Sequence, residues 1–188
     1  MKVFISGGCK NGKSSYAQAL SLKMQKPETA LYYIATMIPG DNEDETRISM
    51  HQKDREGMGF VTIEAGRNID LAVVNYDKSG TFLLDSVTAL LANEMFTSDS
   101  GFLPDVHLKV TNDLKELITT ISNIIIVSDF IFSDAFIYDA MTDYYRRGLA
   151  FIDKQVAAMC DVVIEACAGN YIVHKGKAGL EELLYGSF

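Results

Sequence analysis

Eight residues near the start of the chain, Gly7-Gly8-Cys9-Lys10-Asn11-Gly12-Lys13-Ser14, fit the pattern G-x-x-x-x-G-K-[ST]. That pattern has meaning only between a strand and a helix, and the sequence supplies both. Lys2-Val3-Phe4-Ile5-Ser6 is a short apolar run suited to a buried strand, and Ser15 to Met24 has helical composition and spacing. Glycines at 7, 8 and 12 are expected to let the loop take positive φ and to bring its N–H groups around phosphate oxygens. The N-terminus of the following helix adds a favourable partial charge. Lys13 is expected to reach the β- and γ-phosphates, and the Ser14 hydroxyl to coordinate Mg²⁺. The loop Gly7–Ser14 thus points to a nucleoside polyphosphate as ligand.

The rest of the chain alternates strand-like and helical segments, the pattern of a parallel sheet covered by helices. Strands are expected at Val3–Ser6, Leu31–Ala35, Phe60–Ile63, Thr81–Leu84, Ile124–Val127 and Val162–Ala166, with a weaker one at Tyr171–Val173. Helices are expected at Lys13–Met24, Glu43–Glu56, Asn68–Tyr76, Val87–Phe96, Val106–Ile121, Tyr138–Met159 and Leu180–Leu184, and Thr97–Asp105 reads as a flexible excursion. The 188 residues suit one α/β domain over residues 1–188. A net charge of -8 without a basic cluster argues against a nucleic-acid surface. No apolar run approaches the ~20 residues needed to span a bilayer. Cys9, Cys160 and Cys167 lack metal-like spacing, which suggests a reducing, cytoplasmic setting with no disulfide framework.

A second constellation lies between the second and third expected strands. Tyr33-Ile34-Ala35-Thr36 ends a strand, and Asp41-Asn42-Glu43 leads into a helical segment with Arg47-Ile48 and His51. Glu43, Arg47, His51 and Arg55 recur every fourth residue and are expected along one helix face. Such a stripe is commonly a solvated face laced with ion pairs. Here, however, an imidazole stands between two guanidiniums. Nearby cations keep an imidazole neutral and hold an anionic substrate against it, as attack on phosphorus requires.

These residues carry a resemblance to a known family. The phosphate loop, Tyr33-Ile34-Ala35-Thr36, Asp41-x-Glu43, Arg47-Ile48-x-x-His51 with Arg55, Glu64, and Leu83-Leu84-Asp85-Ser86-Val87-Thr88 with Asn93 follow one another in order. In this the chain resembles the bifunctional adenosylcobinamide kinase/adenosylcobinamide-phosphate guanylyltransferases of cobalamin biosynthesis. The resemblance implies a P-loop NTPase-like, RecA-like α/β fold with a mostly parallel sheet of about seven strands flanked by helices. It implies that His51 attacks the α-phosphate of GTP, expels pyrophosphate and passes GMP to adenosylcobinamide-phosphate, with kinase activity at the same loop. It further implies nucleotide contacts from Ile34, Ala35, Thr36, Gln52, Lys53, Asp54, Glu64 and Asp85, use of GTP or ATP with Mg²⁺, corrinoid substrates and a homotrimer. Helical spacing suggests Arg47 or Arg55 as the charge that neutralises the α-phosphate. Two other functions fit the loop alone: a small-molecule kinase without histidine guanylylation, and a non-catalytic nucleotide-binding regulator.

Asp85 ends an apolar run, as a metal-supporting carboxylate does, although an Asp there also suits a cap for the next helix. Asp129 ends another such run and competes for the metal. From there the family's usual Asn-Glu-Val-Gly-x-Gly-Ile-Val-Pro is replaced by Asp129-Phe130-Ile131-Phe132-Ser133-Asp134-Ala135-Phe136-Ile137. These aromatics suit packing against a helix or neighbouring subunit, or a remodelled acceptor pocket. His107 reads as a surface residue, His174 as structural, and Cys160 and Cys167 as core.

Overall fold

The computed structural model describes residues 1–40, 46, 48–50, 52, 53, 55–97 and 101–186. Strand β1 (Lys2–Gly7) runs through the phosphate loop into helix α1 (Lys13–Met24), followed by β2 (Leu31–Ala35). Next come β3 (Phe60–Glu64), a single-turn helix α2 (Ile69–Ala72), β4 (Thr81–Asp85) and α3 (Val87–Met95). The short strands β5 (Phe96–Thr97) and β6 (Gly101–Phe102) precede α4 (Val106–Thr120) and β7 (Asn123–Asp129). The chain continues with α5 (Ala140–Met159), β8 (Val162–Cys167), β9 (Asn170–Lys175) and α6 (Lys177–Tyr185).

Seven strands form one sheet in the order β3-β2-β4-β7-β1-β8-β9, and all neighbours are parallel except the β8–β9 hairpin. The inner strands are nearly continuous runs of Val, Ile and Leu because both sheet faces are covered. Alternation divides them between two cores. Phe4, Leu84, Ile124 and Ile126 pack on the side of α3, α4 and α5, while Val3, Ile5, Leu83 and Ile125 pack on the side of α1 and α6. Each such side chain contributes ~1.5–3 kcal/mol by leaving water. No helix among the described residues is long and apolar enough to cross a membrane.

Register decides where the chemistry gathers. Gly7 pairs with Asp129, Ala35 with both Glu64 and Asp85, and Asp85 with Val127. The carboxyl ends of five adjacent strands therefore finish together, along the edge where ligands of open α/β sheets bind.

Several expected elements are corrected by the structure. The helix expected over Asn68–Tyr76 is α-helical only at Ile69–Ala72. Asn68 is left-handed with φ 49°, and Val74 and Tyr76 donate to carbonyls three residues back, which turns the chain instead of continuing the helix. Inside the expected loop Thr97–Asp105, Phe96 and Thr97 pair antiparallel with Phe102 and Gly101. His107 is half-buried rather than superficial, edge-on to Phe151 at 5.3 Å between α4 and α5. Cys160 is in the core, where burial pushes its thiol up to about 12, but Cys167 is exposed because it ends β8 at the hairpin turn.

Helix α5 carries one buried acid into the sheet. Asp153 is 5% exposed, and among the described residues neither of its carboxylate oxygens has a hydrogen-bond partner. Burial pushes this carboxyl up to about 7 against the lowering effect of the adjacent Ser128 hydroxyl, and the negative charge of Asp129 adds to the rise. Its folded value exceeds the unfolded one, so its stabilising contribution is fully present below pH ~4 and is lost as pH rises through about 7. Asp153→Asn should therefore be more stable than the wild type at pH 8, by roughly 2–4 kcal/mol at about 1.4 kcal/mol per pH unit. The difference should vanish at pH 4. Denaturant melts at the two pH values check this, and a pH-independent difference would refute it.

Candidate active site

The phosphate loop is shaped by close approach more than by glycine freedom. A Cβ on Gly7 would lie 2.2 Å from the Ala166 carbonyl oxygen of β8, so no side chain fits there. Left-handed backbone occurs at Lys10 (φ 57°) and Gly12 (φ 79°), which corrects the expectation of positive φ at Gly7 and Gly8. The chain reverses just before α1, not where it leaves β1. At Gly8 the constraint is again space, since a Cβ would stand 3.0 Å from Asn11 Nδ2. Asn11 donates to the Ala166 carbonyl at 3.4 Å, and the Tyr171 hydroxyl donates to the Gly12 carbonyl at 3.3 Å. Tyr171 also stacks on Tyr16 of α1, with ring centroids 3.9 Å apart. The β8–β9 hairpin thus braces the loop from outside. Cys9 and Lys10 stand exposed at its tip.

Lys13 opens α1 and is buried. Its Nζ donates to the Gly8 carbonyl at 2.6 Å and pairs with Asp129 Oδ1 at 2.7 Å. Ser14 follows, half-buried, and the first turn of α1 carries no acidic side chain to offset the helix N-terminus.

Beside the loop, β2, β3 and β4 end in a small cleft of about 50 Å³ lined by Tyr33, Ile48, Gln52, Arg55, Glu64 and Asp85, among others. The Tyr33 hydroxyl donates to Asp85 Oδ2 at 2.9 Å. Burial, reinforced by the Asp85 charge, pushes the Tyr33 phenol far above its ordinary value, so it stays a donor. The Arg55 guanidinium lies 3.7 Å from the Tyr33 ring centroid and donates to Thr62 Oγ1 at 3.4 Å. Arg55 is buried, yet it sits in the turn that follows the helical residues ending at Lys53, which corrects its expected place on the helix face. Backbone bonds from Arg55 to Gln52 and from Glu56 to Lys53 tighten the chain there into a turn.

Asp85 does not cap the next helix. Ser86 does, accepting from the Ala89 N–H at 3.3 Å, which leaves the Asp85 carboxylate facing the cleft. Of the strand end Ile34-Ala35-Thr36, Ala35 alone lines the cleft. Ile34 is fully buried in the core. Thr36 is buried as well, with its hydroxyl donating to the Ser86 carbonyl at 2.8 Å and accepting from the Ser86 N–H at 2.7 Å. Asn93 donates to the carbonyls of Thr36 and Gly66 at 2.7 and 3.0 Å, stitching the ends of β2 and β3 to α3. Lys53 is exposed and outside the cleft lining, while Ile48 and Gln52, which flank His51 in sequence, line it. His51, Arg47, Asp54 and Glu43 lie outside the described residues.

Sequence reasoning passed over two contributors. Tyr33 was visible only as part of a strand motif, and its role as the donor joining Asp85 to Arg55 depends on pairing with β4. Thr88 accepts the N–H of Asp129 at its hydroxyl, 2.8 Å away, a contact no spacing rule suggests.

Among the described residues, no group of three or more His, Cys, Asp or Glu side chains could cage a metal ion. What the edge offers is the Ser14 hydroxyl and the Asp85 carboxylate. Such hard oxygen donors suit Mg²⁺, which takes few protein ligands and relies on phosphates and water. Asp129 is engaged by Lys13.

The divergent segment after β7 is only partly packing material. Ile131 and Phe132 pack against the core, while Phe136 and Ile137 are 76% and 100% exposed. Arg146 of α5 holds the segment. It donates to the Ile131 carbonyl at 3.3 Å, pairs with Asp134 at 3.1 Å and lies over the Tyr138 ring at 4.3 Å.

Among solved structures, the fold is similar to a KaiC-like protein of the hyperthermophilic archaeon Pyrococcus horikoshii OT3. That match has 12% identity, TM-score 0.49, and covers 93% of this chain and 79% of that one. A second protein of Pyrococcus horikoshii OT3 matches at 8% identity and TM-score 0.50, over 93% and 85% of the two chains. An ATPase of the type III secretion system of pathogenic bacteria matches at 14% identity and TM-score 0.49, over 89% of this chain. The chain spans about half the length of that ATPase, 51%. No curated protein matches the sequence significantly. The sequence model of one family, described as cobinamide kinase / cobinamide phosphate guanyltransferase, matches residues 3–173, from β1 into β9. The chain therefore belongs to the cobinamide kinase / cobinamide phosphate guanyltransferase family.

Proposed function

We propose that the protein transfers GMP from GTP to adenosylcobinamide-phosphate through a covalent GMP adduct on His51, and that the same loop supports phosphorylation of adenosylcobinamide. The observation that carries this reading is the joined edge itself. A buried lysine on a phosphate loop stands beside a cleft that holds an arginine, two acids and the residues flanking His51. In the first step an imidazole nitrogen attacks the α-phosphorus. The N–P bond forms as the bridging P–O bond breaks, and the electron pair leaves with pyrophosphate. Lys13 and the N–H groups opening α1 stabilise that leaving charge, and Arg55 supplies positive charge at the cleft. In the second step a phosphate oxygen of the acceptor attacks the same phosphorus and releases His51. Ser14 and Asp85 would hold Mg²⁺, which supplies further neutralisation of phosphate charge. The Tyr33 hydroxyl keeps the Asp85 carboxylate oriented. We infer a cytoplasmic homotrimer, as the resemblance described above implies. The exposed part of the segment following Asp129 is assigned to the acceptor side.

Incubation with α-labelled GTP should label the protein covalently, with an adduct that is acid-labile and base-stable, as a phosphoramidate is. His51→Ala should abolish the label and leave nucleotide binding largely intact, and labelling that survives in this variant would sink the assignment. Lys13→Ala should weaken Mg·GTP binding by about 30–100-fold, the loss of a charged hydrogen-bond donor worth ~2–3 kcal/mol. Unchanged affinity in calorimetry would mean that the loop is not the phosphate site.

A further inference from the structure

The ammonium of Lys13 is already committed inside the protein. Two of its three donors go to the Gly8 carbonyl and Asp129 Oδ1, at 2.6 and 2.7 Å. The pair is shielded, with side-chain exposures of 6% for Lys13 and 25% for Asp129, so solvent and salt screen it weakly. The backbone that carries the carboxylate is fixed as well. Asp129 pairs in register with Gly7, its N–H is held by Thr88 Oγ1, and the next N–H, of Phe130, donates to the Gly7 carbonyl at 2.8 Å. A phosphate drawn to Lys13 therefore meets a lysine whose charge Asp129 already offsets. It must displace the carboxylate or share the ammonium with it, and either way it binds more weakly than to an unopposed lysine. Displacement also leaves Asp129 without its counter-ion beside Asp153, the buried acid whose oxygens have no partner among the described residues. That cost favours return of the bridge.

We propose that Asp129 is a positioning residue that acts through Lys13: it competes with the outer phosphates for the ammonium and so promotes release of pyrophosphate or nucleoside diphosphate. The inference rests on the reading of the loop as a nucleotide-transfer site. Asp129→Asn keeps the size of the side chain and removes its charge. In calorimetric titrations the variant should bind Mg·pyrophosphate and Mg·GTP about tenfold tighter than the wild type, a shift of ~1.4 kcal/mol, with GMP affinity unchanged. In steady-state assays KM and kcat should fall together, because product leaves more slowly. Asp129→Glu should restore wild-type pyrophosphate affinity. Pyrophosphate binding in Asp129→Asn that is equal to or weaker than wild type, in protein with an unchanged melting temperature, would overturn the proposal. Weakening seen only when Mg²⁺ is present would overturn it in favour of Asp129 as a metal ligand. Failure of the wild type to bind pyrophosphate and GTP would overturn the nucleotide reading itself, and is distinguishable from a wild type that binds both while Asp129→Asn changes nothing.

Discussion

The whole edge depends on how tightly β1 is held between its neighbours. It pairs in parallel with β7 on one side and β8 on the other, and at its last residue, Gly7, the β8 backbone comes too close for any Cβ. A strand gripped on both sides cannot shift register without turning every side chain to the opposite core. That grip fixes where the loop leaves the sheet and where α1 begins. It also sets Asp129, the register partner of Gly7, within reach of the first helical side chain.

Once the backbone is fixed, the electrostatics follow from compensation in a place shielded from water. Lys13 faces Asp129, while Asp85 takes a hydrogen bond from a tyrosine whose ring lies under Arg55. Each charge has a neighbour that lowers the cost of burial, as buried ions require. Asp153 departs from this rule and meets burial by holding its proton up to about pH 7. The arrangement joins a cationic loop to a cleft of mixed charge with one strand, β7, between them. Gly7 and Asp85 thus stand two strand spacings apart across the sheet and two residues apart along it, on the order of 12 Å.

Much of this was legible in the residues because the deciding signals were local. The phosphate loop, the continuous apolar strands and the exact span of α1 each follow from short-range pattern, and family membership reaches from residue 3 to residue 173. Contacts between distant segments were not legible. The left-handed residue at Lys10, the Gly7–Ala166 approach and the Thr36–Ser86 exchange exist only once the strands have paired. Arg55 shows the limit most clearly. Its four-residue spacing suggested a helix face, but the chain tightens into a turn at that point, and the guanidinium reaches its tyrosine from there.

The segment after Asp129 separates two demands that one stretch of chain must meet. Its first residues are tied to the phosphate-loop edge through Phe130 and Gly7, and Ile131 and Phe132 are spent on the core. Its last residues, Phe136 and Ile137, reach solvent and contribute nothing to that core. Arg146 holds the segment at both ends of this exposed part, through the Ile131 carbonyl and Asp134 before it and the Tyr138 ring after it. Loss of Arg146 would therefore loosen the whole segment. One arginine thus ties the buried start of the segment, next to the strand end whose Asp129 pairs with Lys13, to the two residues that bracket its exposed aromatic surface.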